Sequence, residues 1–285
     1  MKTNLLICAA LALVNFSAVA APLTESTFTE IIRDVNTLTT AGNPTTAKLN
    51  DLLKSPDRVR TGPESRAELT AADNTLTRVG ANTVFSFSDS GRTLNLEQGN
   101  LLFHSPKGNG GGTIKSGGAS AAVLGTTLIV SATTDGGFKV ILLEGKGTVT
   151  LADGKAMTLK SGQMVFVPPG GKTFSHVVNF NLGKLVAGSS LINGFAHPLV
   201  SLPLIEAAID RQNSLIAKGE AVDTGNLAGN GLGTVDHAGY QTAARPPVDK
   251  QQYTVLSTAA ITGGPGGRNT GGPGGRNITT LTFIP

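Results

Sequence analysis

Closely spaced turns between residues 57 and 170 are the feature that most limits what this chain can fold into. Turn signals at Asp135, Glu144, Asp153 and Ser161 follow one another at intervals of eight or nine residues. Apolar residues alternate with polar ones between these turns, which is the pattern of half-buried strands. Such an interval holds one short strand and its turn, whereas a parallel crossover needs about a dozen residues or more and usually a helix. The segment therefore predicts a mainly β protein with a core of short strands, built as a β-roll, as a β-solenoid-like stack or as a sandwich.

The composition favours the same class of fold. The 285 residues include 37 glycines and no tryptophan, and only 15% of them are charged. Glycine is suited to tight turns, and the many threonines are suited to strands. The formal net charge is +4. The basic residues are interspersed with acidic ones rather than gathered in a stripe, so we expect no nucleic-acid partner.

The first twenty residues have the three parts of a secretory signal peptide. Lys2 supplies a positive charge, residues 5–14 are apolar, and Ala18 and Ala20 are the small residues that precede a cleavage site. We expect a signal peptide over 1–20 with cleavage after Ala20, which would place the protein in the bacterial periplasm or outside the cell. The apolar run has about half of the roughly 20 residues that a membrane-spanning helix needs, and no later stretch reaches that length without charges or glycines, so we expect no retained membrane span.

Cys8 is the only cysteine of the chain, and it lies inside the expected signal peptide. Cleavage would leave a mature protein without cysteine. Disulfide bonds would then be absent although the compartment allows them, so a hydrophobic core of one or two domains has to stabilise the fold.

Residues 21–56 are predicted to form an N-terminal strand and a linker. The stretch from Thr27 to Leu38 is rich in β-branched residues and predicts a strand, although a helical stripe also fits its apolar positions. From Ala41 to Pro56 the chain has the Gly-Asn-Pro signals of a loop, and Lys48 to Leu53 could form one helical turn. Within the β domain predicted over 57–170, the glycine-rich stretch from Lys107 to Gly118 predicts a loop or a tight corner.

Residues 171–219 read as an extension that contains one helix. Apolar residues recur at helical spacing over 204–218, Pro203 stands at the start and Gly219 at the end. Residues 220–285 read as a low-complexity tail, because the octapeptide of residues 262–269 is repeated over 270–277 and is too rich in glycine to build a core. The sequence thus predicts one C-terminal helix followed by a disordered Gly-rich tail.

Five blocks of sequence in the predicted β domain carry a family resemblance. The first begins Val59-Arg60-Thr61-Gly62 and continues to Leu69, and the others are Arg78–Thr83, Arg92–Phe103, Val123–Thr127 and Leu143–Val149. In this order they resemble the FecR domain family over about residues 57–167. The resemblance implies an all-β domain whose shape depends on turn glycines, and it implies no catalytic residue.

The best-known members of that family are transmembrane regulators of iron–siderophore uptake, with a cytoplasmic part that acts on a sigma factor. The present sequence shows neither the cytoplasmic part nor the membrane helix of those members. We therefore expect an exported, non-enzymatic FecR-like protein that binds a protein or glycan of the cell envelope. One alternative is an envelope sensor that works with a separate membrane regulator, and another is a cupin-like metal enzyme.

The cupin alternative depends on a Gly, Pro, Gly, His, Asn series that runs from Gly162 to Asn179. The spacing to His176 is three residues too long, and Glu144 has no histidine near it in the sequence. A metal site needs three or four converging ligands. The other histidines, His104, His197 and His237, are far apart in the sequence and predict no site.

Other short motifs also lack the context that chemistry needs. Ser120 lacks the second glycine of a nucleophile elbow, Lys115-Ser116 lacks the glycine of a phosphate-binding loop, and residues 229–234 miss one glycine of a dinucleotide fingerprint. Glu97, Glu144 and Asp153 stand at or beside turns, where acids are common for structural reasons. Arg268 and Arg276 belong to the repeated tail. We therefore predict no catalytic, cofactor-binding or metal-binding residue.

Overall fold

The computed structural model describes residues 20–39, 43–224, 227–228, 235–236 and 239–242. The expected signal peptide up to residue 19 and the repeated octapeptides lie outside the described residues, as does His237. Within the described residues, no helix combines the length and the apolar character needed to cross a membrane.

Seventeen strands build the main body of the described chain. In chain order they are β1 Glu25–Ile32, β2 Val35–Leu38, β3 Thr45–Thr46, β4 Leu52–Lys54, β5 Arg58–Thr61, β6 Arg66–Thr70, β7 Leu76–Val79, β8 Val84–Phe87, β9 Thr93–Ser105, β10 Gly112–Ser116, β11 Ala119–Val123, β12 Thr126–Ala132, β13 Phe138–Glu144, β14 Lys146–Leu151, β15 Ala156–Lys160, β16 Gln163–Val167 and β17 Val178–Asn179. The mainly β class predicted from the turn spacing is confirmed.

The strands form two sheets that share the long strand β9. The first sheet, called here the covered sheet, has the order β4-β1-β6-β7-β9-β12-β13-β16-β17. The second, called the exposed sheet, has the order β3-β2-β5-β8-β9-β10-β11-β14-β15. All pairs are antiparallel except β9 with β10. Of the predicted alternatives, the arrangement is that of a sandwich.

The chain passes from one sheet to the other at glycines. The first half of β9 pairs in the exposed sheet and the second half, from Gly99 onward, pairs with β12 in the covered sheet. Gly99 has a φ of +94°, and a Cβ atom there would lie 2.5 Å from Cα of Thr83. Gly145, with a φ of +82°, is the single residue between β13 and β14, which belong to different sheets. Both positions require a conformation that glycine adopts without steric cost.

One apolar core fills the space between the sheets. It takes alternate residues from every long strand, so the period-2 pattern of the sequence decides which side chains point inward. Its largest members include Phe28, Phe85, Phe87, Phe103 and Phe138, all with 2% exposure or less.

A second apolar core lies on the other side of the covered sheet, beneath three helices. These are α1 Leu182–Gly188, α2 Ser190–Asn193 and α3 Leu202–Ala217. Leu102, Ile129 and Ile141 point outward from the sheet and pack with helix residues such as Leu182 and Ile205. Strands β12 and β13 are therefore buried along their whole length. The predicted helix 204–218 is α3, displaced by one or two residues at its ends.

Helices α1 and α2 are additions that the sequence did not predict. Helix α1 contains two glycines, which weakens its helical pattern, and it begins at Asn181, whose side chain accepts a hydrogen bond from the backbone of Lys184. Both helices owe their stability to the sheet beneath them, because isolated helices this short are marginal in water.

Two other local predictions were wrong. Lys48 to Leu53 forms a turn and the start of β4 rather than a helical turn, because Asp51 and Asn50 make backbone hydrogen bonds to Phe28 of β1. The predicted loop from Lys107 to Gly118 is shorter, because β10 occupies Gly112–Ser116 and buries Ile114 between β9 and β11.

The predicted N-terminal strand is two strands, β1 and β2. They are separated by Arg33, which has a φ of +64°, and by Asp34. Where the sequence predicted a disordered tail, the structure also has two short strand pairs, β18 Ala221–Thr224 with β21 Gly239–Thr242 and β19 Leu227–Ala228 with β20 Val235–Asp236.

A buried arginine connects the helical extension to the covered sheet. Arg78 is fully buried and forms an ion pair with Glu68, with 2.8 Å between Nε and Oε2. Its remaining nitrogens donate to the carbonyl groups of Leu191, Ile192 and His197 at 2.8 to 3.2 Å. Since each nitrogen of the guanidinium group has a partner, the buried charge is compensated and the segment after α1 is fixed in place.

We predict that Arg78→Met lowers the free energy of unfolding by about 3–5 kcal/mol, because it leaves the Glu68 carboxylate buried without its partner. Denaturant unfolding measures this change. Glu68→Gln in the Arg78→Met background should recover part of the loss, since it removes the uncompensated charge. Arg33→Gln is the matched control, because the Arg33–Glu64 pair is exposed on both sides, and it should cost less than about 1 kcal/mol. Equal stability of Arg78→Met and the unmodified protein would contradict the proposal that Arg78 holds the helical extension on the covered sheet.

Candidate interaction surface

The residues of the cupin-like series do not converge in the described structure. His176 is exposed after β16, Asn179 of β17 accepts a hydrogen bond from Gln163, and Glu144 is buried at the end of β13. Among the described residues, no group of three or more His, Cys, Asp or Glu could hold a metal ion. The cupin-like series is therefore a strand followed by a turn.

The other sequence candidates lie apart from one another. Ser120 is half-buried in β11, Glu97 is exposed in β9 beside Arg58, and Asp153 is exposed in the turn after β14. His197 is exposed, and its carbonyl group accepts from Arg78. None of these residues forms part of a shared cluster among the described residues.

Strand register does bring together three polar residues that are far apart in the sequence. Thr127 of β12 is the register partner of both His104 of β9 and Glu144 of β13. Thr127 Oγ1 donates to Glu144 Oε1 at 2.9 Å and lies 2.9 Å from His104 Nδ1. All three side chains are buried on the covered sheet. Sequence reasoning treated His104 and Glu144 separately, because only the pairing of the strands reveals their proximity.

The electrostatics of this trio follow from burial. Burial lowers the pKa of His104. Burial also raises the pKa of Glu144, against the smaller opposing effects of the hydrogen bond from Thr127 and the charge of Lys107. Both shifts favour the neutral forms of the side chains. Because Thr127 is fully buried, its hydroxyl cannot reach a substrate, and the trio serves to satisfy polar groups inside the covered sheet.

We predict that His104 makes the protein less stable in mild acid. The pKa of His104 is lower in the folded state, so the unfolded chain takes up the proton first as the pH falls. The stability that neutral His104 contributes is therefore present above the ordinary pKa of 6.5 and is lost as the pH falls through the folded-state pKa. The stability advantage of the unmodified protein over His104→Gln should shrink between pH about 7.5 and about 5.5, measured by urea unfolding. The stability advantage of the unmodified protein over Glu144→Gln should instead grow as the pH falls, because this substitution removes a carboxyl group whose pKa is raised in the folded state. An advantage over His104→Gln that grows on acidification would contradict the prediction.

The outer face of the exposed sheet is an accessible surface of the described chain that extends over eight strands. Its side chains alternate with those of the inner core, and all are exposed or half-buried. We call it the polar face and define it by Asn36, Leu38, Arg58, Arg60, Val84, Ser86, Thr93, Asn95, Glu97, Thr113, Lys115, Ser120, Ala122, Lys146, Thr148, Thr150, Ala156, Thr158 and Lys160. No described element packs over it, in contrast to the outer face of the covered sheet.

The polar face has a regular strand register. One row of register partners crosses seven strands, from Arg58 through Ser86 and Asn95 to Lys115, and then on to β15. Nine of the nineteen residues of the face are Thr, Ser or Asn, whose short side chains offer hydrogen-bond donors and acceptors. Its apolar members, Leu38, Val84, Ala122 and Ala156, lie on different strands and form no continuous patch.

Positive charge predominates on the polar face. Five of its side chains are basic and one, Glu97, is acidic. Glu97 pairs with Arg58 at 3.3 Å, and both side chains are nearly half exposed. Among the described residues, Arg60, Lys115, Lys146 and Lys160 have no carboxylate within ion-pair distance. The arrangement can therefore bind an anionic group by charge pairing and hydrogen bonds, without covalent chemistry.

Comparison with known proteins gives one family match. Residues 57–146 match the family described as FecR protein. Two crystal structures of a proposed anti-sigma factor from Parabacteroides distasonis ATCC 8503 resemble the chain at 19% and 18% sequence identity, each with a TM-score of 0.38. Each alignment covers 43% of this chain and 59% of the other, so the chain spans about three fifths of the length of that protein. No curated protein matches the sequence.

Proposed function

Since residues 57–146 form a FecR domain, we propose that the protein is an exported, non-enzymatic binding module of a bacterial cell envelope. Its partner is a protein or a glycan of the envelope, and the polar face is its contact surface. The observation that carries this proposal is the difference between the two sheets: helices cover one outer face, while the other is broad and accessible in the described chain.

The placement of the reactive side chains supports a binding role. His104, Thr127 and Glu144 are buried on the covered sheet. On the polar face, Glu97 pairs with Arg58, and Ser120 lies between its register neighbours Lys115 and Thr150, with no carboxylate within ion-pair distance of Lys115 among the described residues. Binding of a partner requires only the hydrogen bonds and charges that this face offers.

The residues that follow the expected cleavage point pack against the β domain. Arg92 donates from Nη1 to the carbonyl group of Ala21 at 2.9 Å, and the backbone N–H of Leu23 donates to Gly91 at 2.8 Å. Leu23 itself is 2% exposed. The residues directly after the expected cleavage point are thus held against the turn between β8 and β9, so a domain that begins at Ala21 would keep these contacts.

We predict that the exported protein begins at Ala21, as measured by N-terminal sequencing and intact mass of material from the producing bacterium. Ala18→Arg should block processing, because the cleavage site requires small residues at this position and at Ala20. Val19→Leu is the matched control and should be processed normally, since the residue between them is not restricted. An unprocessed wild-type chain would contradict export by this route.

A second candidate function is that of an envelope sensor that works with a separate membrane regulator. The FecR match over 57–146 favours it, because the family resemblance implies regulators whose envelope part has this fold. Cross-linking in intact cells distinguishes the two. Capture of a membrane-bound regulator through the polar face would favour the sensor, whereas capture of an envelope glycan would favour the binding module alone.

The proposed contact surface can be tested by blocking it. The expected mature chain has no cysteine, so Ala122→Cys would place a single thiol in the middle of the polar face, and Ser214→Cys would place one on the exposed side of α3. Both are then modified with a maleimide-linked polyethylene glycol. We predict that the Ala122→Cys conjugate binds washed envelopes of the producing bacterium at least about tenfold more weakly than the Ser214→Cys conjugate, as measured by co-sedimentation.

Two results would overturn the proposal. Equal binding by both conjugates would show that the polar face is not the contact surface. Failure of the unmodified protein to sediment with envelopes would exclude an envelope partner altogether.

A further inference from the structure

The charges of the polar face are spread across it in a way that points to an extended ligand. Arg58 and Arg60 lie on β5, Lys115 lies on β10, and Lys146 and Lys160 lie on β14 and β15. Strands in a sheet are about 4.8 Å apart, so β5 and β10, three spacings apart, are separated by about 14 Å. The distance from β5 to β15 is six spacings, or about 29 Å. A single small anion can reach only one of these positions, whereas an extended polyanion can reach all of them.

Lys146 and Lys160 form a pair that an anionic ligand would stabilise. They are direct register partners in the antiparallel pair β14–β15. Like charges in this position destabilise a sheet. Both side chains are exposed, and neither has a carboxylate within ion-pair distance among the described residues. An anion placed between them would turn this repulsion into two attractive contacts.

The side chains between the charges distinguish among classes of anionic partner. Protein interfaces are enriched in aromatic residues, Met and Arg at their centre and are depleted of Lys and Ser. The centre of the polar face, around Lys115, Ser120 and Thr150, has the opposite character. Short hydroxyl and amide side chains can instead exchange hydrogen bonds with the many hydroxyl groups of a sugar chain. No aromatic residue of the described chain belongs to the face, so stacking on sugar rings cannot supply the affinity and charge pairing has to do so.

We infer that the polar face binds a linear acidic polysaccharide, whose carboxylates pair with Arg60, Lys115, Lys146 and Lys160. This inference rests on the proposed function, because it names the partner of the same surface. Each exposed ion pair is weak by itself. Several such contacts along one chain act together, because the first contact raises the effective concentration of the next charge. Binding should therefore increase with the length of the polysaccharide and weaken with added salt.

Fluorescently labelled polygalacturonate oligomers are a suitable probe, with neutral dextran and poly-L-glutamate for comparison. We expect the mature protein to bind polygalacturonate but not dextran. The triple variant Lys115→Gln, Lys146→Gln, Lys160→Gln should bind at least about tenfold more weakly. A second triple variant, Lys48→Gln, Lys172→Gln, Lys218→Gln, removes the same charge from exposed positions outside the polar face. It should bind as the unmodified protein does, and thermal unfolding of both variants shows whether the fold is retained.

Three outcomes would overturn the inference. Equal loss of binding in the two triple variants would show a non-specific charge effect. Binding of poly-L-glutamate as tight as that of polygalacturonate would exclude a preference for the sugar chain. Absence of polygalacturonate binding, while co-sedimentation with envelopes still depends on the polar face, would overturn the acidic polysaccharide and leave the proposed function standing. If co-sedimentation does not depend on that face either, the proposed function fails with it.

Discussion

The buried ion pair between Arg78 and Glu68 is the interaction on which the asymmetry of this protein depends. A guanidinium group enters the space beneath the helices only because a carboxylate and three backbone carbonyls receive its hydrogen bonds. Two of those carbonyls, of Leu191 and Ile192, belong to α2, and the third, of His197, belongs to the segment that joins α2 to α3. Phe195 of the same segment lies over the guanidinium group, 4.3 Å from ring centre to Cζ. The helices are thereby fixed on the covered sheet, and the exposed sheet is left as the free side of the sandwich.

The two sheets consequently have different physical characters although they share one core. On the covered sheet, outward residues such as Leu102 and Ile141 lie beneath helices, and the polar groups among them require internal partners. His104, Thr127 and Glu144 meet this requirement by bonding to each other. On the exposed sheet, water can satisfy every outward side chain, so charges such as Lys115 need no partner for folding. Charges that folding does not use are available to a ligand.

Much of the β core could be read from local sequence. The turns at Asp135 and Asp153 and the strands that flank them follow directly from alternation and from turn residues. Helix α3 could also be predicted from the sequence, because its apolar spacing is regular and a proline stands in its first turn. Helices α1 and α2 could not be predicted, since α1 contains two glycines and α2 is only four residues long. Strand β10 was not predicted, because glycines surround it in the sequence, and it is held in the sheet by pairing with β9 and β11.

The sequence by itself determined the class of fold, the inward-facing residues, and the absence of a recognisable catalytic motif. These properties depend on nearest neighbours along the chain, which turn chemistry and the strand period describe well. Only the tertiary structure decided which sheet is covered, which polar residues meet, and where unpaired charge collects. Glu144 became an internal acceptor because β12 lies between it and His104, whereas Lys146, two residues later, is exposed on the polar face. Gly145 separates them by moving the chain from one sheet to the other, and that change depends on contacts between strands that are distant in the sequence.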